Sequence, residues 1–321
     1  MPLQTRRLEP FGYEITGLDL DKPIEDVDRE RILALWIEDG LLVFPAAGTS
    51  AEGQMRLSRC FGELKPAATD ELNVPGNPYL MALAYNPERA RKSKYFTLLE
   101  IGGKVRAGWL GWHWDQTFTP EIVRGAVLRM LEPACEMGET GFIDAIGAYD
   151  RLPPALRARV DGLEIVYQYT PQQDANRFGF PKDMKLVFRD ERATPELEKR
   201  IADFPPTVHP LVITQPETGR KALKLSPMHC KYVLGLPQAE SDALLEELAA
   251  HLVDERHAYF HRWGRNDLVA WDNWRILHCA NGTPPDVSRL AQRTTILGDY
   301  KVGRYLDPTL ERGRYTARID D

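Results

Sequence analysis

No stretch of this chain of 321 residues holds enough consecutive apolar side chains to span a bilayer, which takes about 20 in a row. That argues against a helical membrane anchor, and no membrane partner is expected. The amino terminus, Met1-Pro2-Leu3-Gln4-Thr5-Arg6-Arg7-Leu8-Glu9-Pro10, has two arginines but no apolar run behind them. It therefore does not read as a signal peptide, and a cytoplasmic location is expected. Basic charge is not in excess either: 41 Lys and Arg against 47 Asp and Glu leave a formal charge of −6, which argues against nucleic acid as a partner. Cysteine is scarce. Cys60, Cys135, Cys230 and Cys279 form no CxxC pair and no framework of short spacings, so they read as reduced thiols, mostly filling the core. No repeat, coiled coil or low-complexity segment is found.

What is present is ordinary in bulk and unusual in detail. With 43% hydrophobic and 27% charged residues the chain can bury a substantial core. Its length exceeds a typical domain, but β-rich architectures run past about two hundred residues as one unit. A single domain over residues 1–321 is expected, because the residues that carry chemistry come from both halves. His113 and Asp115, in Gly111-Trp112-His113-Trp114-Asp115, are two apart and would share one side of an extended strand. His278 lies far downstream in Trp271-Asp272-Asn273-Trp274-Arg275-Ile276-Leu277-His278 and would come from a neighbouring strand. Two imidazoles and one carboxylate occupy one face of an octahedral ion and leave the rest open, the arrangement used by non-haem iron(II) oxygenases. Cys279 adjoins His278 but alternates to the other face, so it is not expected to bind the metal.

Arg289 and Arg293 follow in Ser288-Arg289-Leu290-Ala291-Gln292-Arg293. Arginine presents a planar fork of donors that holds a carboxylate bidentately, and residues four apart on a strand face the same way. Beside an open metal they read as an anion site. The residues by themselves leave two other readings open. The same set would hold zinc and activate water for hydrolysis, or the chain would be a non-catalytic metal-binding jelly roll that binds a ligand without turnover.

In these stretches and several others the chain resembles the taurine/2,4-dichlorophenoxyacetate (TauD/TfdA) family of iron(II)- and 2-oxoglutarate-dependent dioxygenases. The likeness covers Gly12 to Leu20, Phe61-Gly62-Glu63-Leu64, Trp112 to Phe118, Gly138-Glu139-Thr140, Asn266 to Asn273 and His278 to Asp299, in the family's order and spacing. It implies that His113, Asp115 and His278 hold iron, that Thr140 and Arg289 bind the distal carboxylate of 2-oxoglutarate, and that Arg293 lies near cosubstrate and substrate anion. It further implies dioxygen and a small anionic organic substrate as partners, an assembly of identical subunits, and hydroxylation, with cleavage, desaturation or cyclisation as variants. Trp109 and His229 stand where members contact substrate, but both differ from the side chains of taurine-type members. A sulfonate pocket of that type is therefore not expected.

The expected fold class is β-rich α+β. Periodicity gives helices over Asp28 to Asp39, Ser50 to Cys60 and Ala239 to His251, and strands at Leu41 to Phe44, Ala126 to Met130, Leu163 to Tyr167 and Leu268 to Trp271. The resemblance sharpens this to a double-stranded β-helix, or jelly roll, with flanking helices. Two irregular segments, residues 86–108 and 168–183, read as lids. The first carries six Lys and Arg, Arg89 to Arg106, against Glu88 and Glu100, a field suited to drawing in an anion. Trp112 and Trp114 alternate away from the ligands and are assigned to packing. His257 and His261 are four apart but lie in a strand-like stretch, so they are not read as a metal pair.

Overall fold

Short runs of β-branched and aromatic residues, cut by glycine, proline and asparagine, form strands along the whole chain. The computed structural model describes residues 3–66 and 73–311. Its largest sheet runs Gln4–Arg7, Tyr13–Thr16, Leu41–Phe44, Leu268–Asp272, Gly125–Glu132, Arg289–Ile296, Asn77–Tyr85 and Asn73–Val74, with Leu64–Lys65 also paired to Arg289–Ile296. Every pairing in it is antiparallel except that of Tyr13–Thr16 with Leu41–Phe44. A second sheet runs Ala258–His261, Thr140–Asp144, Ile276–Ala280 and Leu110–His113.

The two sheets share a core. Val43, Leu128, Met130 and Trp271 from the first pack with Phe142 and Ile276 from the second. Alternation then sends Ile143, Leu277 and Cys279 to the outer face of the second sheet, where the helix Gln238–Leu252 covers them with Leu244, Leu245 and Leu248. Helix Asp26–Asp39 lays Ile32 and Trp36 against the first sheet and stops at Gly40, whose left-handed backbone (φ 76°) lets its N–H return to the Trp36 carbonyl at 2.7 Å. Helix Ala51–Ser58 is capped by the Ser50 hydroxyl, which accepts from the Gly53 N–H at 3.0 Å. The expected helices and strands are all present within a few residues of their expected ends. Among the described residues, no helix is long and apolar enough to cross a membrane.

The first lid differs from expectation. Residues 86–108 are largely regular: helix Pro87–Lys92, then strands Thr97–Ile101 and Lys104–Ala107. Gly102 and Gly103 turn this hairpin with φ of 60° and 71°, a backbone that suits a two-residue turn and strongly favours glycine. Lys185–Arg189, which follows the second segment, adds a third strand against Thr97–Ile101, so the two segments are tied together. The second segment, 168–183, is irregular as expected, with one 3-10 turn at Gln173–Ala175.

All four cysteines are free, three of them buried and Cys135 exposed. Gly141, opposite Cys279 on the outer face, has no room for a side chain: a Cβ there would lie 2.7 Å from Cys279 Sγ, Phe260 Cε1 and Trp112 Cη2. Gly141→Ala is expected to lower stability by about 1–3 kcal/mol through overpacking, read as a lower midpoint in thermal or urea unfolding.

Candidate metal centre

His113 ends the strand Leu110–His113 and sits directly opposite His278 in antiparallel register. The two rings are 4.2 Å apart between centroids. Asp115 lies just past the strand, not on it as expected, because Trp114 turns fully into the core and donates its Nε1–H to the Leu225 carbonyl at 2.8 Å. The Asp115 carboxylate nevertheless returns to the histidines: His113 Nε2 is 3.9 Å from Oδ1 and His278 Nε2 is 3.7 Å from Oδ2. The ligand atoms of all three residues lie within 4.8 Å of one another, and among the described residues no other His/Cys/Asp/Glu cluster meets that condition.

Their charge states suit a metal. His113 Nδ1 is 2.7 Å from the Gly111 carbonyl, which makes Nδ1 the protonated nitrogen and leaves the Nε2 lone pair facing Asp115. Burial pushes both imidazoles toward the neutral form, His278 well below its usual range. Burial alone would raise the Asp115 carboxyl, but Arg293, His278 and His113 outweigh it and hold the group well below the usual carboxylate range. At neutral pH the trio is therefore deprotonated, as metal ligation requires. Two nitrogens and a carboxylate on one side of a space bordered by buried polar groups fit a divalent transition ion with open positions.

Arg293, expected near cosubstrate and substrate anion, grips Asp115 with both terminal nitrogens. Arg289, at the start of the same strand, makes no side-chain hydrogen bond or ion pair among the described residues, and burial lowers its pKa to about 10, so it stays charged at neutral pH. Its Cδ lies 4.0 Å from where a Cβ on Gly138 would stand, two residues before Thr140. The Thr140 hydroxyl accepts the Trp263 Nε1–H at 3.0 Å, which leaves its own hydrogen to donate. An unpaired guanidinium and a hydroxyl with its hydrogen free to donate are both groups that suit a carboxylate.

His229 adopts φ 73° and is buried, its ring against Phe118 at 5.1 Å and Tyr169 at 5.5 Å. The Thr170 N–H donates to its Nδ1 at 2.9 Å, and burial lowers its pKa to about 3. The ring is therefore neutral with its proton on Nε2, a donor. Trp109 is half-buried and meets Phe180 edge-on at 5.7 Å. Trp112 and Trp114 pack in the outer core, as expected. His261 bonds Asp267 at 3.1 Å from the strand next to Thr140, and His257 lies outside that strand in a 3-10 turn.

Two contributors carry no metal-ligand chemistry of their own and were not assigned from sequence. Asn273 clamps the Asp115 backbone from both sides, its Oδ1 accepting the N–H at 2.9 Å and its Nδ2 donating to the carbonyl at 3.2 Å. Lys224 is fully buried over the Trp114 ring, 3.3 Å from its centre, and donates to the Asn273 carbonyl at 3.0 Å. The position of Asn273 in the Trp271 to His278 run was the only signal for it.

The family model for the taurine catabolism dioxygenase TauD, TfdA family matches residues 4–295. The chain is 32% identical over 292 residues to an (S)-phenoxypropionate/alpha-ketoglutarate-dioxygenase of Sphingobium herbicidovorans, covering 90% of this chain and 92% of that one. It is 29% identical to the alpha-ketoglutarate-dependent 2,4-dichlorophenoxyacetate dioxygenase of Cupriavidus pinatubonensis, over 90% of this chain and 95% of that one. Among solved structures, a taurine dioxygenase from Burkholderia xenovorans superposes with a TM-score of 0.69 at 25% identity, over 92% of this chain and 91% of that one.

Asn273→Ala removes the clamp on the Asp115 backbone while leaving His113, Asp115 and His278 themselves unchanged. Affinity for manganese(II), followed by titration of the purified protein, is expected to fall about 10- to 100-fold, the usual cost of losing a group that orients a ligand.

Proposed function

Because the chain belongs to the taurine catabolism dioxygenase TauD, TfdA family, we propose that it is an iron(II)- and 2-oxoglutarate-dependent dioxygenase with His113, Asp115 and His278 as the iron ligands. The observation that carries this is the convergence of two neutral imidazoles and one ionised carboxylate, with the unpaired Arg289 on a strand of the other sheet. Relatives named for phenoxypropionate, 2,4-dichlorophenoxyacetate and sulfate esters all act on anionic organic molecules, which supports a small anionic organic substrate here. Bound iron with 2-oxoglutarate and dioxygen supplies the oxidising power: one oxygen atom ends in the new C–OH, the other in succinate, and carbon dioxide leaves the cosubstrate.

The protein's own part is placement. Arg289 and Thr140 take the far carboxylate of 2-oxoglutarate, the guanidinium by charge and the hydroxyl by its free hydrogen. Arg293 fixes the rotamer of Asp115 and keeps it ionised. His229, as a neutral Nε2–H donor, and Trp109 face substrate. We assign the two facing sheets to a double-stranded β-helix within a single domain, 1–321, with residues 86–108 and 168–183 as lids. The setting that fits is a cytoplasmic assembly of identical subunits.

The test is succinate release with iron(II), 2-oxoglutarate and a panel of aryloxy acids, sulfonates and alkyl sulfates. Succinate and oxygen uptake coupled to a substrate are expected, and Asp115→Ala or His278→Ala should abolish both. Arg289→Ala should raise the KM for 2-oxoglutarate about 10- to 100-fold, the worth of hydrogen bonds to a charged group, with metal binding retained. Substrate consumption without oxygen uptake would instead assign the site to hydrolysis.

A further inference from the structure

Gly111 is buried within the strand Leu110–His113, two residues before His113. Glycine weakens a strand, because its backbone is the least restrained of any residue. Space explains its presence: a Cβ there would lie 2.7 Å from Cζ and 2.8 Å from Cε1 of Phe180, which belongs to the segment 168–183. The consequence reaches the metal centre, because it is the Gly111 carbonyl that accepts the His113 Nδ1–H at 2.7 Å. A carbonyl free to swing would leave that ring free to turn.

The sheet does not hold Gly111. Leu110–His113 is the last strand of its sheet, so one of its edges has no strand partner. Along the other edge His113 pairs with His278 and Leu110 with Ala280, which leaves Gly111 and Trp112 together opposite Cys279 alone. Two residues facing one make a bulge, where the ladder is interrupted. The hold comes from outside the sheet. Gln173 Oε1 accepts the Gly111 N–H at 3.1 Å, and the Met228 N–H donates to the adjoining Trp112 carbonyl at 3.2 Å. The Gln173 amide is itself oriented, its Nε2 donating to the Pro171 carbonyl at 3.2 Å and to Met228 Sδ at 3.4 Å. An uncharged amide supplies the acceptor and both donors at once.

We propose that Gln173 is a positioning residue for His113: its amide, together with the Phe180 ring, fixes Gly111, and the Gly111 carbonyl then fixes the direction of the imidazole. The segment 168–183 thereby acts on the metal centre through one backbone residue. This rests on the proposed function only in taking His113 as a metal ligand, since the hold on the ring requires no metal.

Nitrogen NMR of the full chain, isotope-labelled at histidine and free of added metal, tests the hold. The wild-type chain is expected to show His113 as a single tautomer with a slowly exchanging Nδ1–H. Gln173→Met, which keeps the length and loses the amide, should speed that exchange about 10-fold, the worth of one hydrogen bond. His229 is the internal control, because the same segment holds it: the Thr170 N–H donates to its Nδ1 at 2.9 Å, and Asn176 Oδ1 accepts its backbone N–H at 2.8 Å. Its ring signals should not move. Gln173→Glu keeps an acceptor toward Gly111 but gives up both donors, and it should retain the wild-type His113 signal. An unchanged His113 in Gln173→Met overturns the proposal. So does a joint change of His113 and His229, the mark of a segment that has come loose, and so does Gln173→Glu behaving as Gln173→Met does. Titration with manganese(II) supplies the second readout: affinity should fall about 10-fold in Gln173→Met, as when a group that orients a ligand is lost. Unchanged affinity there also overturns the proposal. A wild-type chain that shows the NMR pattern but binds no manganese(II) loses the proposed function and keeps this hold on the ring.

Discussion

The cross-strand pairing of His113 with His278 is the constraint on which the rest of the centre depends. On a strand, side chains alternate between faces, so a slip of one residue would carry an imidazole out of the site and bring Trp112 or Cys279 in. The register is held by packing on both faces. Toward the first sheet, Phe142 sits opposite His278 and against Trp271. On the outer face, Gly141 leaves only enough room for Cys279, Trp112 and Phe260 to meet. The hydrophobic core thus sets which way the two imidazoles point, and the same alternation turns Cys279 away from them.

The carboxylate is held by different means. Asp115 lies beyond the strand, where no ladder fixes it, and Asn273 substitutes for the ladder by bonding both its N–H and its carbonyl. Behind Asn273 stands Lys224, whose ammonium burial pushes well below its usual range and which is kept inside by the Trp114 face and one carbonyl. A buried ionisable group with so few partners costs stability, and the return is a fixed Asp272–Trp274 turn. Arg293 completes the arrangement from the other side. Burial would tend to protonate Asp115, and the guanidinium prevents that.

The ligand set was legible in sequence because metal chemistry admits few residue types and the family resemblance fixed which copies to choose. Arg289 stands out in sequence by its spacing, and in the structure it is largely buried with no side-chain partner among the described residues. The contact of Arg293 with Asp115 was not legible, since spacing says which way a strand residue faces but not which anion it meets first. Asn273 and Lys224 act through backbone groups, which no side-chain motif encodes. The hairpin Thr97–Ile101 to Lys104–Ala107 had a readable signal in Ile101-Gly102-Gly103-Lys104, two glycines between alternating residues, which the dense charge of the segment obscured.

That charge carries a further implication. Exposed arginines without partners contribute little to folding, and several like charges on one small subdomain repel. The pairing pattern is selective: Lys94 and Arg189 are tied to the acids Glu196 and Asp174, whereas Arg89 and Arg200 line a cavity without such partners among the described residues. Screening confines such a field to about 8 Å at physiological salt. A field that short acts only on groups that come close to Arg89 and Arg200 themselves.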